Sequence, residues 1–169
     1  MKKILFLNLP HKDKIVRRYM CSYNSPKFLF PPYELIGLAS CVRDRGLAEV
    51  KFLDAIAEDK SENDVTALIN EWRPFMVVSI TGIESIQHDI ECVKRLKQSS
   101  SGVMFSVFGY YPTIFSSEIL SEGIDLILRN EPEEGLSEYL KALRNGRDIT
   151  EVGGIALKDS TGRAVVNQD

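Results

Sequence analysis

Short, almost wholly apolar runs alternate along this chain with stretches in which apolar positions recur every three or four residues. The run at residues 4–9, Ile-Leu-Phe-Leu-Asn-Leu, has the pattern of a strand covered on both faces. Residues 50–53, 76–80, 103–108 and 126–128 read the same way, which predicts five parallel strands. Between them, residues 33–45 place Leu35, Leu38, Ala39 and Val42 on one helical face and stop at Gly46, a C-terminal helix signal. Ser61, with Asp64 three residues on, predicts a cap ahead of Val65, Leu68, Ile69 and Trp72, and Pro74 closes that helix. Residues 85–97 repeat the pattern with Ile86, Ile90, Val93 and Leu96. Thr113 precedes a short helix containing Ile119 and Leu120, and residues 132–143 form the last, with Leu136, Tyr139, Leu140 and Leu143 inward.

Strand and helix thus alternate five times. Right-handed crossovers and two-sided coverage predict an α/β three-layer sandwich, flavodoxin-like (Rossmann-like), with a five-stranded parallel sheet in the order 2-1-3-4-5. After Gly146 the pattern changes, and residues 154–157 and 164–166 flank a polar turn, which predicts a C-terminal β-hairpin extension. The expected division is an α/β domain over residues 1–150 and a hairpin, or a lead into a further domain, over residues 151–169.

Composition narrows the function classes. A length of 169 residues with 44% hydrophobic content suits one buried core. A formal net charge of −3 lacks the clustered cations that a nucleic acid or an anionic membrane would call for, so neither is an expected partner. No run approaches the roughly 20 apolar residues of a membrane span, and the apolar core at the start is short for a signal peptide; the reading is cytoplasmic. Three cysteines, Cys21, Cys41 and Cys92, are odd in number and far apart, which suits neither a disulfide framework nor a closely spaced metal site.

In an open α/β sheet, ligands sit outside the carboxyl ends of the strands. That rule selects the loop of roughly 20 residues that begins at Pro10, then Asp54, then Thr81 and Gly82, then Gly109 to Thr113, and then Arg129 to Glu133. The junction from the strand ending at Phe108 through Gly109 into a new helix is the most suggestive, because glycine allows close approach and a helix start presents unpaired N–H groups. Each candidate also has a plainer role. Ser79 and Thr81 can satisfy nearby backbone, Gly82 and Gly109 can serve turn geometry, Asp54 can be a solvated turn carboxylate, and Glu131, Glu133 and Glu134 suit a helix start by its dipole. His11 lies at the binding edge and His88 on a helix, with no partner at metal-ligand spacing. Neither a Gly-x-Gly-x-x-Gly after the first strand nor a Gly-Lys-Ser/Thr is present, which argues against dinucleotide and P-loop chemistry.

Over nearly its whole length the chain resembles the N-terminal cobalamin-binding domain of cobalamin-dependent radical S-adenosylmethionine enzymes. The resemblance is carried by Pro31-Pro-Tyr-Glu-Leu-Ile-Gly-Leu-Ala39, Val42-Arg-Asp-Arg-Gly46, Phe52-Leu-Asp-Ala55, Val78-Ser-Ile-Thr81, Phe108-Gly-Tyr-Tyr-Pro-Thr113, Ile124 through Glu133 and Val152-Gly-Gly-Ile-Ala156, in that order. It implies a corrinoid-binding module within a longer enzyme of methyl transfer or radical rearrangement. The cofactor-binding residues it implies are Pro10, Ser79, Thr81, Gly82, Gly109, Tyr110, Tyr111, Thr113, Asn130 and Glu131, around a slot for the cofactor's dimethylbenzimidazole nucleotide tail. It also implies that the iron–sulfur cluster and S-adenosylmethionine belong to a radical domain downstream.

Five departures from the family pattern qualify what it implies. The loop after the first strand reads His11-Lys-Asp-Lys-Ile-Val16 and lacks Asp-x-His-x-x-Gly, so no cobalt–histidine bond is expected. Phe108 stands where the family has the first of two glycines, Tyr111 in place of its histidine, and Asn130 in place of its glycine before Glu131. The chain contains no Cys-x-x-x-Cys-x-x-Cys, the motif such a radical domain uses to hold its cluster. Two alternatives stay open: a cofactor-free relative that serves as a docking domain, favoured by Phe108 and Asn130, and a receiver-like or flavodoxin-like domain.

Overall fold

A computed structural model of the chain describes residues 1–25 and 27–168. Pro26, in the expected binding loop, and Asp169, at the end of the expected tail, lie outside the described residues. The elements in chain order are β1 (Lys3–Asn8), β2 (Ile15–Arg17), β3 (Ser22–Asn24), α1 (Tyr33–Asp44), β4 (Glu49–Asp54), α2 (Glu62–Trp72), β5 (Met76–Ile80) and α3 (Ile86–Gln98). They continue with β6 (Met104–Phe108), α4 (Tyr110–Ile114), α5 (Ser116–Ser121), β7 (Leu126–Leu128), α6 (Pro132–Asn145), a 3-10 turn at Ile149–Glu151, β8 (Ile155–Lys158) and β9 (Ala164–Val166).

Alternation along the strands divides the core in two. Ile4, Phe6, Met76, Val78, Ile80, Phe108, Leu126 and Leu128 face the apolar stripes of α1 and α6, where Leu35, Leu38, Val42, Leu136 and Tyr139 are buried. Leu5, Leu7, Val77, Phe105, Val107 and Ile127 face α2, α3 and α5 through Val65, Ile69, Ile90, Val93, Leu96, Ile119 and Leu120. Burial on both faces is why these strands read as continuous apolar runs. The capping box at Ser61 forms, with the Asp64 N–H donating to the Ser61 hydroxyl at 3.2 Å.

The sheet corrects the expectation of a five-stranded parallel flavodoxin-like sheet. It has seven strands in the order β4-β1-β5-β6-β7-β8-β9, and a separate two-stranded sheet pairs β2 with β3. The large sheet is mixed: β8 runs antiparallel to β7, with Leu126 opposite Leu157 and Leu128 opposite Ile155, and β9 runs antiparallel to β8. The residues expected as an appended hairpin therefore extend the main sheet, with Ile155 and Ala156 wholly buried. The cause lies after α6. The Arg129 N–H donates to the Gly154 carbonyl at 2.8 Å, which holds Gly154 beside the end of β7. A Cβ at Gly135 of α6 would lie only 2.8 Å from that same oxygen, so the absence of a side chain lets the returning segment press against the helix. The Asn167 side-chain amide donates to the carbonyls of Thr150 and Val152 at 2.7 and 2.6 Å and pins the segment further. The chain thus re-enters at the carboxyl edge, where only an antiparallel strand can follow.

Candidate functional site at the carboxyl edge of the sheet

The long loop after β1 folds into a hairpin across the strand ends. Ile15 pairs with Asn24, Val16 with Tyr23 and Arg17 with Ser22. Its anchor is Arg17, 1% exposed, whose Nε and Nη2 donate to the two carboxylate oxygens of Asp89 at 2.9 and 2.7 Å. Nη1 of Arg17 donates to the Asn8 side chain and the Leu9 carbonyl, both at 2.9 Å. Asp89 also accepts the hydroxyls of Thr81 at 2.7 Å and Ser85 at 2.8 Å. Burial by itself would raise the Asp89 carboxyl, but the Arg17 guanidinium and the hydrogen bonds around it outweigh that and hold it at about 2. A buried charge so fully paired ties β1, β5, α3 and the hairpin into one unit. The sequence reading missed this cluster, although one signal was present: Asp89 interrupts the apolar face of α3 between Ile86, Ile90 and Val93.

Three further latches hold the hairpin. The Ser22 N–H donates to Glu84 at 2.7 Å. Nε of Arg18 donates to both Glu34 oxygens at 2.8 and 2.9 Å. The Tyr110 N–H at the start of α4 donates to the Tyr19 carbonyl at 2.7 Å.

Against this frame the sequence-derived candidates separate into three groups. Thr81, Gly82, Gly109 and Thr113 come together beneath the hairpin, and Ser79 lies on β5 opposite Val107. Ser79 is buried, and its hydroxyl has no hydrogen-bond partner among the described residues. A Cβ at Gly82 would overlap the backbone of Cys21 and Ser22, and one at Gly109, where φ is +141°, would overlap the Thr81 carbonyl. Thr113 donates to the Gly109 carbonyl at 2.9 Å and meets the Tyr19 hydroxyl at 3.2 Å. Tyr110, Asn130 and Glu131 lie exposed at the edge, with Asn130 at φ +44°. Pro10 and Tyr111 lie away from both groups. Pro10 lines a cleft with His11, His88, Asp59 and Glu62, and Tyr111 lines a groove against Ile86, Ile90 and Ile119.

The two histidine rings in the Pro10 cleft stand 4.3 Å apart, and burial, followed by the neighbouring His88, lowers the pKa of His11. Among the described residues, no group of three or more His, Cys, Asp or Glu side chains could hold a metal ion. The Cys92 thiol is pushed up to about 12 by burial, which rules it out as a nucleophile near neutral pH.

The strand ends carry an exposed apolar surface. Of fourteen exposed large hydrophobic residues among those described, eleven belong to segments that follow the carboxyl end of a strand. Met20, Tyr23, Phe28, Leu29, Phe30, Tyr33 and Ile36 run from the hairpin into α1; Ile83 follows β5; and Tyr110, Ile114 and Phe115 follow β6.

A corrinoid with its nucleotide tail inserted is only half accommodated here. The partnerless Ser79 hydroxyl is a group that a ligand could satisfy. Space is the obstacle. Phe108, at 0% exposure, fills the α1 and α6 side of the β6 end, and the hairpin backbone closes Gly82 from above. The residues present therefore do not fit an inserted tail, while the apolar edge outside them remains open.

The chain shares its fold with solved cobalamin-dependent radical enzymes. OxsB with aqua-cobalamin bound superposes with a TM-score of 0.77 at 18% identity, over 99% of this chain and 22% of that one. TsrM from Kitasatospora setae, solved with cobalamin and a four-iron, four-sulfur cluster, gives 0.64 at 19% identity, over 99% of this chain and 29% of that one. Among curated proteins, an uncharacterized methyltransferase of Pyrococcus horikoshii is 28% identical over 159 residues, 92% of this chain and 33% of that protein. An anaerobic magnesium-protoporphyrin IX monomethyl ester cyclase of Synechocystis is 26% identical over 160 residues, 92% of this chain and 30% of that protein. The chain thus spans about a third of the curated relatives it matches. No family model matches it. No helix among the described residues is long and apolar enough to cross a membrane.

Proposed function

We propose that this chain is a corrinoid-binding module of a longer cobalamin-dependent radical enzyme, with its carboxyl edge presented to the cofactor and to an adjoining radical domain. The observation that carries the reading is that eleven of the fourteen exposed large hydrophobic residues among those described fall in segments following the carboxyl ends of strands, the place where an open α/β sheet takes its ligand. The shared fold with OxsB and TsrM supports it, as does the similarity to a curated methyltransferase and a curated cyclase. Under this reading Tyr110, Asn130 and Glu131 contact the cofactor at the rim. Thr81, Gly82, Gly109 and Thr113 support that rim from beneath the hairpin, and Ser79 lies at the end of β5 below them; Pro10 and Tyr111, in separate clefts, take no part. When bound, the corrinoid supplies the alkyl-transfer or radical chemistry of its cobalt. The chain's own residues hold and orient it, with no histidine ligand to cobalt. The iron–sulfur cluster and S-adenosylmethionine fall to the adjoining domain.

Hydroxocobalamin titrated into the folded chain is expected to give a saturable change in the corrin absorption bands. A flat titration with folded protein would overturn the reading. It would favour the second one, a cofactor-free docking domain, which the buried Phe108 supports.

A further inference from the structure

Resting on the corrinoid reading, we infer that this module takes a corrinoid by its ring alone and keeps the nucleotide tail outside the sheet. A benzimidazole nucleotide held inside a protein needs a cavity on the order of 300 Å³. At the ends of β5 and β6 that space is taken by the chain itself, on three sides. From within, Phe108 is wholly buried among Ile80, Leu128 and Leu136, with Tyr19 packed against the same cluster. Between the strands, the Thr81 N–H donates to the Phe108 carbonyl at 3.0 Å, so the ladder continues past β5 and leaves no gap. From above, the backbone of Cys21 and Ser22 rests on Gly82.

Displacing the hairpin would not be a small motion. It would break the sealed Arg17–Asp89 pair, the Ser22–Glu84 bond and the Tyr110–Tyr19 bond together, and separating a buried ion pair is strongly unfavourable. The two glycines that would flank a tail slot are thus used for close contact of backbone with backbone inside this chain. Outside the closed site, by contrast, Met20, Tyr110 and Phe115 expose apolar and aromatic side chains that a macrocycle can lie against.

The test compares two corrinoids on the same chain, hydroxocobalamin and diaquocobinamide, which has the ring but no nucleotide. Equal dissociation constants, within about threefold, are expected for the unaltered protein. Hydroxocobalamin binding about tenfold or more tighter would overturn the inference while leaving the corrinoid reading intact. Binding of neither would overturn both. The variant Phe108→Gly, checked for native circular dichroism, is expected to gain about tenfold for hydroxocobalamin with no change for the cobinamide; a folded variant without that gain would overturn the role of Phe108. Should the variant fail to fold, the comparison on the unaltered chain decides alone.

Discussion

At the end of β1, a guanidinium and a carboxylate sit sealed from water, the charge of each balanced by the other. Against the opposing effect of burial, Asp89 is held below its unfolded pKa by Arg17 and by hydrogen bonds from His88 and the Thr81 hydroxyl. Its folded value, about 2, lies under the ordinary 3.8. The charged form is thus favoured in the native state: this stabilisation is full above about pH 4 and is lost as pH falls through about 2. Asp89→Asn leaves Arg17 buried without a counter-charge. Urea denaturation at neutral pH is expected to show a loss of about 3–5 kcal/mol. Between pH 4 and 2 the variant is expected to lose less further stability than the unaltered chain. Equal stability of the two proteins at neutral pH would refute the anchoring role. At this scale the sequence was only partly legible. Ser79, Thr81 and Gly109 could be assigned to strand ends from the apolar runs before them, whereas the burial of Arg17 depends on a residue 72 positions away.

At the scale of elements, the β2–β3 hairpin decides what the edge can do. Its seat is Gly82, where no side chain can stand between the β5 loop and the Cys21–Ser22 backbone. Gly82→Ala is expected to strain the hairpin's seat and raise the frequency with which it opens, while leaving the seven-stranded sheet in place, at a stability cost of about 1–3 kcal/mol. Limited trypsin digestion would read this out, with faster cleavage after Arg17 or Arg18 in the variant and unchanged far-ultraviolet circular dichroism. Unaltered protection at both arginines would show that the contact is not needed. Helices were the most legible elements. The pattern for residues 33–45 anticipated α1 at Tyr33–Asp44, because a stripe of Leu35, Leu38, Ala39 and Val42 is a local signal. The strands β2 and β3, Ile-Val-Arg and Ser-Tyr-Asn, are short and interrupted by polar residues and carry no apolar run to be read, unlike the equally short Leu-Ile-Leu of β7.

For the whole molecule, the last two strands matter more than a terminal extension would. Ile155, Ala156 and Leu157 bury themselves beside β7 and share core with α5 and α6. Truncation after residue 150 would bare the backbone edge of β7 and the apolar side chains beneath it. Loss of a single cooperative thermal transition, together with aggregation, is the expected outcome by calorimetry and light scattering. A truncated chain that melts cooperatively would mean that the first 150 residues are an independent unit.

The apolar periodicities by themselves determined which segments are helices and which are buried strands of the main sheet, since each is written within a window of a few residues. Only the tertiary structure decided that the β8–β9 hairpin joins the main sheet antiparallel to β7, that a second hairpin lies over the strand ends, and to which side Phe108 turns. Each of these is settled by contacts between residues far apart in the chain: Gly135 with Gly154, Gly82 with Cys21, Arg17 with Asp89. Local pattern states that a side chain is apolar, but what occupies the space around it is a property of the assembled core.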